Sequence, residues 1–152
     1  MRFLINIVFL LVLAPALLAG TEGQPLRVEV TNVWSRPTGG RTMSGVIYMT
    51  LINRQQVADK LLSVMTPAAD ISEIHTSITK DSATSMQQLD SLSLPAGATV
   101  KLGSGGHHIM MMRLSVPLSE GYIFPVTLTF QHAGSVTVLS RVQKRAARHQ
   151  VK

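Results

Sequence analysis

The side chains best equipped for chemistry in this chain are imidazoles and thioethers. Gly105-Gly106-His107-His108-Ile109-Met110-Met111-Met112 sets two histidines and three methionines behind a glycine pair, in 152 residues that hold no cysteine. Imidazole and thioether are neutral, soft-to-borderline metal ligands. On a strand, His108, Met110 and Met112 share one face while Ile109 and Met111 share the other. A His-x-Met alone is a weak signal, because methionines on strands commonly fill cores. The signal strengthens with His75 and Met86, which are symmetric about the Lys80–Asp81 junction of a polar stretch. A hairpin of Ile71–Ile78 against Ser85–Leu92 would set His75 and Met86 face to face, with Cβ atoms about 4.5–5.5 Å apart. A further strand supplying His108 and Met110 would complete a set of two imidazoles and two thioethers.

Such a set selects Cu(I), since thioethers are poor ligands for zinc, calcium or magnesium. Methionine does not titrate, so only the imidazoles compete with protons. With an ordinary imidazole pKa of about 6.5, binding is expected to weaken below neutral pH. No ligand is charged, so the loaded site keeps a net positive charge, which suits handing an ion on. The missing cysteine excludes thiol redox catalysis, blue-copper centres and zinc-thiolate sites. No Gly-x-Ser-x-Gly elbow and no phosphate loop is present, and the carboxylates are few and scattered, so an enzyme is not expected.

The elements that must position these residues read as short strands. Arg27 to Trp34 alternates apolar and polar positions, and Gly45 to Ile52 is a dense β-branched and aromatic run. Lys60 to Met65 and Thr99 to Leu102 read as strands, the His/Met segment runs to Val116, and Phe124–Phe130 with Ser135–Val142 forms a closing hairpin. Strands at this spacing, with no amphipathic helix, predict an all-β fold, an antiparallel β-sandwich or barrel. His107 points away from His108 and is expected to pack or cap. Met43 and Met49 are expected to pack, with Met43 in a loop that could approach the site. His132 falls in a solvated turn, and Trp34 is a core or rim aromatic.

The net charge of +6 is uneven: residues 21–140 carry eight basic and eight acidic side chains, while residues 141–152 carry five basic and none acidic. A neutral body argues against nucleic-acid binding. The basic tail, residues 142–152, is expected to be solvated, with acidic surfaces or anionic lipid as its candidate contacts. Residues 1–20 read as a signal peptide: Met1-Arg2, a run from Phe3 to Leu13 that is apolar apart from Asn6, then a segment with helix-breaking and small residues to Gly20. The expectation is an exported, periplasmic domain over residues 21–141. An uncleaved N-terminal membrane anchor is the alternative, and no lipobox cysteine is present to take a lipid.

The spacing His75-x10-Met86-x21-His108-x-Met110 resembles the H-x10-M-x21-H-x-M signature of periplasmic PCuAC-type copper chaperones. Further resemblance lies in Trp34-Ser35-Arg36, Gly45–Asn53, Leu94-Pro95-Ala96-Gly97, Gly105–Met110 and Leu128-Thr129-Phe130. The resemblance implies a cupredoxin-like Greek-key β-barrel or sandwich. It implies a solvent-near Cu(I) site with His75, Met86, His108 and Met110 as ligands. It also implies copper delivery to cytochrome c oxidase, in particular the copper centre of its subunit 2, alongside Sco-type proteins. Two positions depart from the pattern. Thr76 stands where the family sometimes has methionine, and the tail has His149 but no methionine to build a second site. A monomer is expected. Copper buffering or resistance, and a metal-free ligand-binding or adhesion module, are the alternative readings.

Overall fold

A computed structural model describes residues 27–144. The described residues form ten strands: β1 Val28–Ser35, β2 Ser44–Asn53, β3 Asp59–Met65, β4 Ala69–Lys80, β5 Ala83–Leu89, β6 Leu92–Leu94, β7 Thr99–Leu102, β8 His107–Leu114, β9 Ile123–Phe130 and β10 Gly134–Val142. Neighbouring strands run in the order β5-β4-β8-β2-β1-β10-β9-β3-β6, with β7 also pairing β2. The expected cupredoxin-like all-β fold is what the chain adopts. All pairs are antiparallel except β1 with β10, which run parallel. The sheet is therefore mixed rather than wholly antiparallel. Where β1 and β10 meet, the Ser35 and Ser140 hydroxyls hydrogen-bond at 2.7 Å in the interior.

The core follows from alternation. Ile47, Met49 and Leu51 of β2, Ile109 and Met111 of β8, and Phe124, Val126, Leu128 and Phe130 of β9 are buried together. Met49 and Met111 are thus packing residues. Gly45 has a steric reason. A Cβ there would lie 2.9 Å from Leu118 Cδ1 and 3.0 Å from Met111 Cε, so the glycine lets those side chains close over β2.

β4 and β5 form the expected hairpin, but with a different register. Lys80 pairs with Ala83, Ser77 with Met86 and His75 with Gln88. The centre of the turn is Asp81-Ser82, both at positive φ (49° and 66°). Two successive left-handed residues make the tight turn whose twist matches paired strands. His75 and Met86 are therefore not face to face, as expected, but diagonal neighbours on the same face. At the other end, Val142 belongs to β10 and is buried, and Gln143 N–H donates to Ser35 O at 3.0 Å. β10 thus ends one residue into the segment expected as tail. The predicted signal segment and residues 145–152 lie outside the described residues. Among the described residues no helix is long and apolar enough to cross a membrane.

Candidate metal centre

β8 lies between β4 and β2, and this order assembles the His/Met face. His75 pairs directly with His108, and Glu73 with Met110. Met86, two residues before Gln88 on β5, falls on that same face, diagonal to His75. Residues directly opposite share a face and positions two apart return to it. His75, Met86, His108 and Met110 are thus brought to one face of three adjacent strands, with Glu73 among them. The His75 and His108 rings stand 6.0 Å apart between centroids, tilted by 50°. Exposure across the face is graded. His108 is 3% exposed and Met86 is 59% exposed, with Met110 half-buried between these extremes.

The hydrogen bonding of the two rings is incomplete in a matching way. His108 Nδ1 lies 3.0 Å from Gly106 O. A carbonyl only accepts, so Nδ1 carries the proton and Nε2 keeps the lone pair. That Nε2 is buried and has no protein partner. His75 Nε2 lies 3.0 Å from a Glu73 carboxylate oxygen, and its Nδ1 is likewise buried without a partner. Each imidazole is held through one nitrogen and leaves the other free, the arrangement by which a hydrogen-bonded partner orients a metal-binding histidine.

The glycine segment explains how His108 is held. Gly105 sits at φ +81°, a conformation that L side chains rarely adopt. The turn it permits returns the chain so that Gly106 N–H donates to Gly103 O and Gly103 N–H to His107 O. Gly106 O also accepts from Ser77 N–H at 3.2 Å. One carbonyl therefore ties β4 to the ring of His108.

Beside the thioethers lies a cleft of about 310 Å³, lined by Met86, Met110 and Val46 together with the Arg36–Thr42 loop. At its rim the Arg36 guanidinium stands 5.7 Å from the centre of the Tyr48 ring, which in turn packs 4.8 Å from Trp34. Trp34 is a half-buried rim aromatic. His107 pairs opposite Thr76 and does not share the His108 face. Met112 lies on that face, opposite Ile71 and Ser44, farther along β8. Met43 is 58% exposed rather than packed. Sequence reasoning missed Glu73, although its position two residues before His75 on a strand already put both on one face. The loop expected to approach the site does so through Arg36–Thr42, which lines the cleft, rather than through Met43.

A cupredoxin-like sheet with a surface-open His/Met face is the class these observations define. Residues 28–142 match the model of the LpqE-like family, described as "Putative lipoprotein LpqE-like". The chain belongs to that family, and the PCuAC-type resemblance holds at the level of the structure. A curated relative from Leifsonia xyli subsp. xyli, "Putative lipoprotein Lxx21020", is 30% identical over 112 residues. That match spans 73% of this chain and 66% of the relative, a little under two thirds of its length. The Cu(I) form of DR1885 from Deinococcus radiodurans is 28% identical, with a TM-score of 0.61 over 84% of each chain. The copper-bound PCuAC domain of PmoF2 is 22% identical, with a TM-score of 0.67 over 78% of this chain and 94% of that domain. That last likeness establishes a shared fold.

Proposed function

We propose that this protein is an exported copper chaperone that holds one Cu(I) ion on His75, Met86, His108 and Met110. By this reading it passes the ion to the copper centre of cytochrome c oxidase subunit 2, with Sco-type proteins as companions in the same assembly. The observation that carries the reading is the paired state of the two imidazoles. They are directly opposed, and each has one buried ring nitrogen without a partner, on a face that also presents two thioethers. Unpartnered buried nitrogens are costly unless something binds them. Soft neutral donors beside them select a cuprous ion. The likeness to a protein whose solved form carries Cu(I) supports the choice of metal.

The graded exposure fits ligand exchange. Met86 is the donor an incoming partner ligand reaches first, and the buried His108 is the last to let go. Displacing donors one at a time keeps the ion coordinated throughout, so free copper is never released. Export is supported by the apolar start of the sequence and by the lipoprotein names of its relatives. These 152 residues contain no thiol to carry a lipid.

The test is a Cu(I) titration under reducing conditions, repeated with Met86→Leu and Met110→Leu. One equivalent with sulfur in the X-ray absorption shell, weakened by both changes, is expected. No binding, or binding indifferent to both, overturns the reading. Transfer to an apo oxidase copper domain separates delivery from buffering.

A further inference from the structure

We infer that Glu73 is the positioning residue of this site, selecting Nδ1 of His75 as the nitrogen that meets the metal and supplying the negative charge the four ligands lack. The inference rests on the proposed metal site but concerns a residue outside the His/Met set.

Glu73 Oε2 lies 3.0 Å from His75 Nε2. A carboxylate accepts from the Nε2–H, so in the neutral ring Nε2 is the protonated nitrogen and Nδ1 the one with the lone pair. That Nδ1 is buried and otherwise unpartnered. His108 is held the opposite way, by Nδ1–H to Gly106 O, and its Nε2 is free. The two opposed histidines thus offer different ring nitrogens, and the choice at each ring is made by a different acceptor. Without Glu73 the His75 ring would be free to take either tautomer or to rotate, and part of the population would present N–H where a lone pair is needed. Placement adds to this. Glu73 stands directly across from Met110 and two residues from His75, so it shares the face of the four donors, with its carboxylate against the His75 ring. Its side chain is 27% exposed, partly withdrawn from the water that would screen it. Two imidazoles and two thioethers carry no charge, so a bound cuprous ion would leave the face positive. One carboxylate offsets that charge.

The two roles separate by substitution. Glu73→Gln keeps an acceptor oxygen for His75 Nε2–H and removes the charge, whereas Glu73→Ala removes both. The experiment reads the ring nitrogens of His75 by ¹⁵N NMR in the metal-free protein, in alkaline buffer where imidazoles are neutral. It then measures Cu(I) affinity by competition. Expected for the native chain is a protonated Nε2 and an unprotonated Nδ1, retained in Glu73→Gln and replaced by a tautomer mixture in Glu73→Ala. Copper affinity should fall modestly in Glu73→Gln, and on the order of 10-fold or more in Glu73→Ala. A native His75 protonated at Nδ1, or a tautomer unchanged by Glu73→Ala in a chain whose amide spectrum stays folded, overturns the inference. The tautomer is read without copper, so failure of the metal reading and failure of the Glu73 role give different results.

Discussion

His75 and His108 are direct cross-strand partners on β4 and β8, with ring centroids 6.0 Å apart and one buried, unpartnered nitrogen on each ring. A core selected for stability alone would not keep this pair. A buried polar group without a hydrogen bond costs about 1–3 kcal/mol. The fold accommodates two of them side by side, on a sheet whose opposite face is packed with Ile109 and Met111. Ser72 Oγ and His107 Nδ1 are also buried without a partner, but only His75 and His108 stand directly opposed on a face shared with two thioethers, and such a clustered cost is the mark of a site kept for binding.

The cost gives a prediction about stability without metal. His108→Leu removes the unpartnered Nε2 and replaces the ring with an apolar side chain. Gly106 O keeps a partner in Ser77 N–H, so no new orphan is created. Metal-free His108→Leu is therefore expected to be as stable as the native chain, within about 1 kcal/mol, or more stable. Copper binding should be lost. Chemical denaturation of both metal-free proteins, with a Cu(I) titration beside it, checks this. A loss of several kcal/mol would mean that His108 is a structural residue.

Gly105 tests the loop that holds His108. At φ +81° any side chain meets backbone strain, although nothing crowds a Cβ there. Gly105→Ala should cost about 1–2 kcal/mol from conformation alone. Because the turn places Gly106 O against His108 Nδ1, copper affinity should also fall, on the order of 10-fold. Gly97→Ala, at φ +66° in a turn on another loop, is the control. It should show the stability loss while copper affinity stays at the native value. Equal copper affinities in the two variants would disconnect the loop from the site.

Much of this was legible before the fold was known. Alternation marked β1, a dense β-branched and aromatic run marked β2, and the i, i+2 spacing of His108 and Met110 put them on one face. The hairpin register was not legible, because it depends on which residues take left-handed φ. Asp81 and Ser82 do so, where symmetry about Lys80–Asp81 would have paired His75 with Met86. Moving the turn centre by one residue shifts cross-strand partners by two and keeps the face, so the grouping held although the partners changed. The pairing of β4 with β8 joins strands separated by β5, β6 and β7, and no local pattern encodes it. Alternation alone put Glu73 on the face of His75, but that it stands across from Met110 follows only from that pairing.

Asp59 predicts the acid limb of stability. Its buried carboxylate accepts from the backbone N–H groups of Lys60, His132 and Ala133, at 2.7, 3.0 and 2.9 Å, and from Gln55 Nε2 at 3.2 Å. Burial alone would raise its pKa, but these hydrogen bonds outweigh burial and hold it below the usual carboxylate value. A folded-state pKa below the unfolded one contributes stability that is present above the unfolded value, about 3.9. That stability is lost as pH falls through the lower folded value. Asp59→Asn should cost about 1–3 kcal/mol at neutral pH, since an amide has one acceptor oxygen and turns a donor toward N–H groups. The variant should also flatten the fall in stability on acidification. Denaturation midpoints from neutral pH down to about pH 3 check it; an acid limb as steep as that of the native chain would show that another group is responsible.

The sharpest separation of site from core lies in two methionines of opposite exposure. Met111 is fully buried among Ile47, Leu114 and Leu118, whereas Met86 is 59% exposed on the edge strand β5. Met111→Leu conserves volume approximately and should cost less than about 1.5 kcal/mol, while Met111→Ala should cost about 2–5 kcal/mol. Neither touches the His/Met face, so Cu(I) stoichiometry should stay at one in both folded variants. Met86→Leu should leave stability within about 0.5 kcal/mol, because the side chain is mostly solvated. It removes a thioether and should weaken Cu(I) binding and slow transfer to a partner, since Met86 is the donor an incoming ligand reaches first. Stability and copper affinity measured on the three variants should therefore move independently. A Met111 variant that stays folded but loses copper would place the metal on the other face of the sheet.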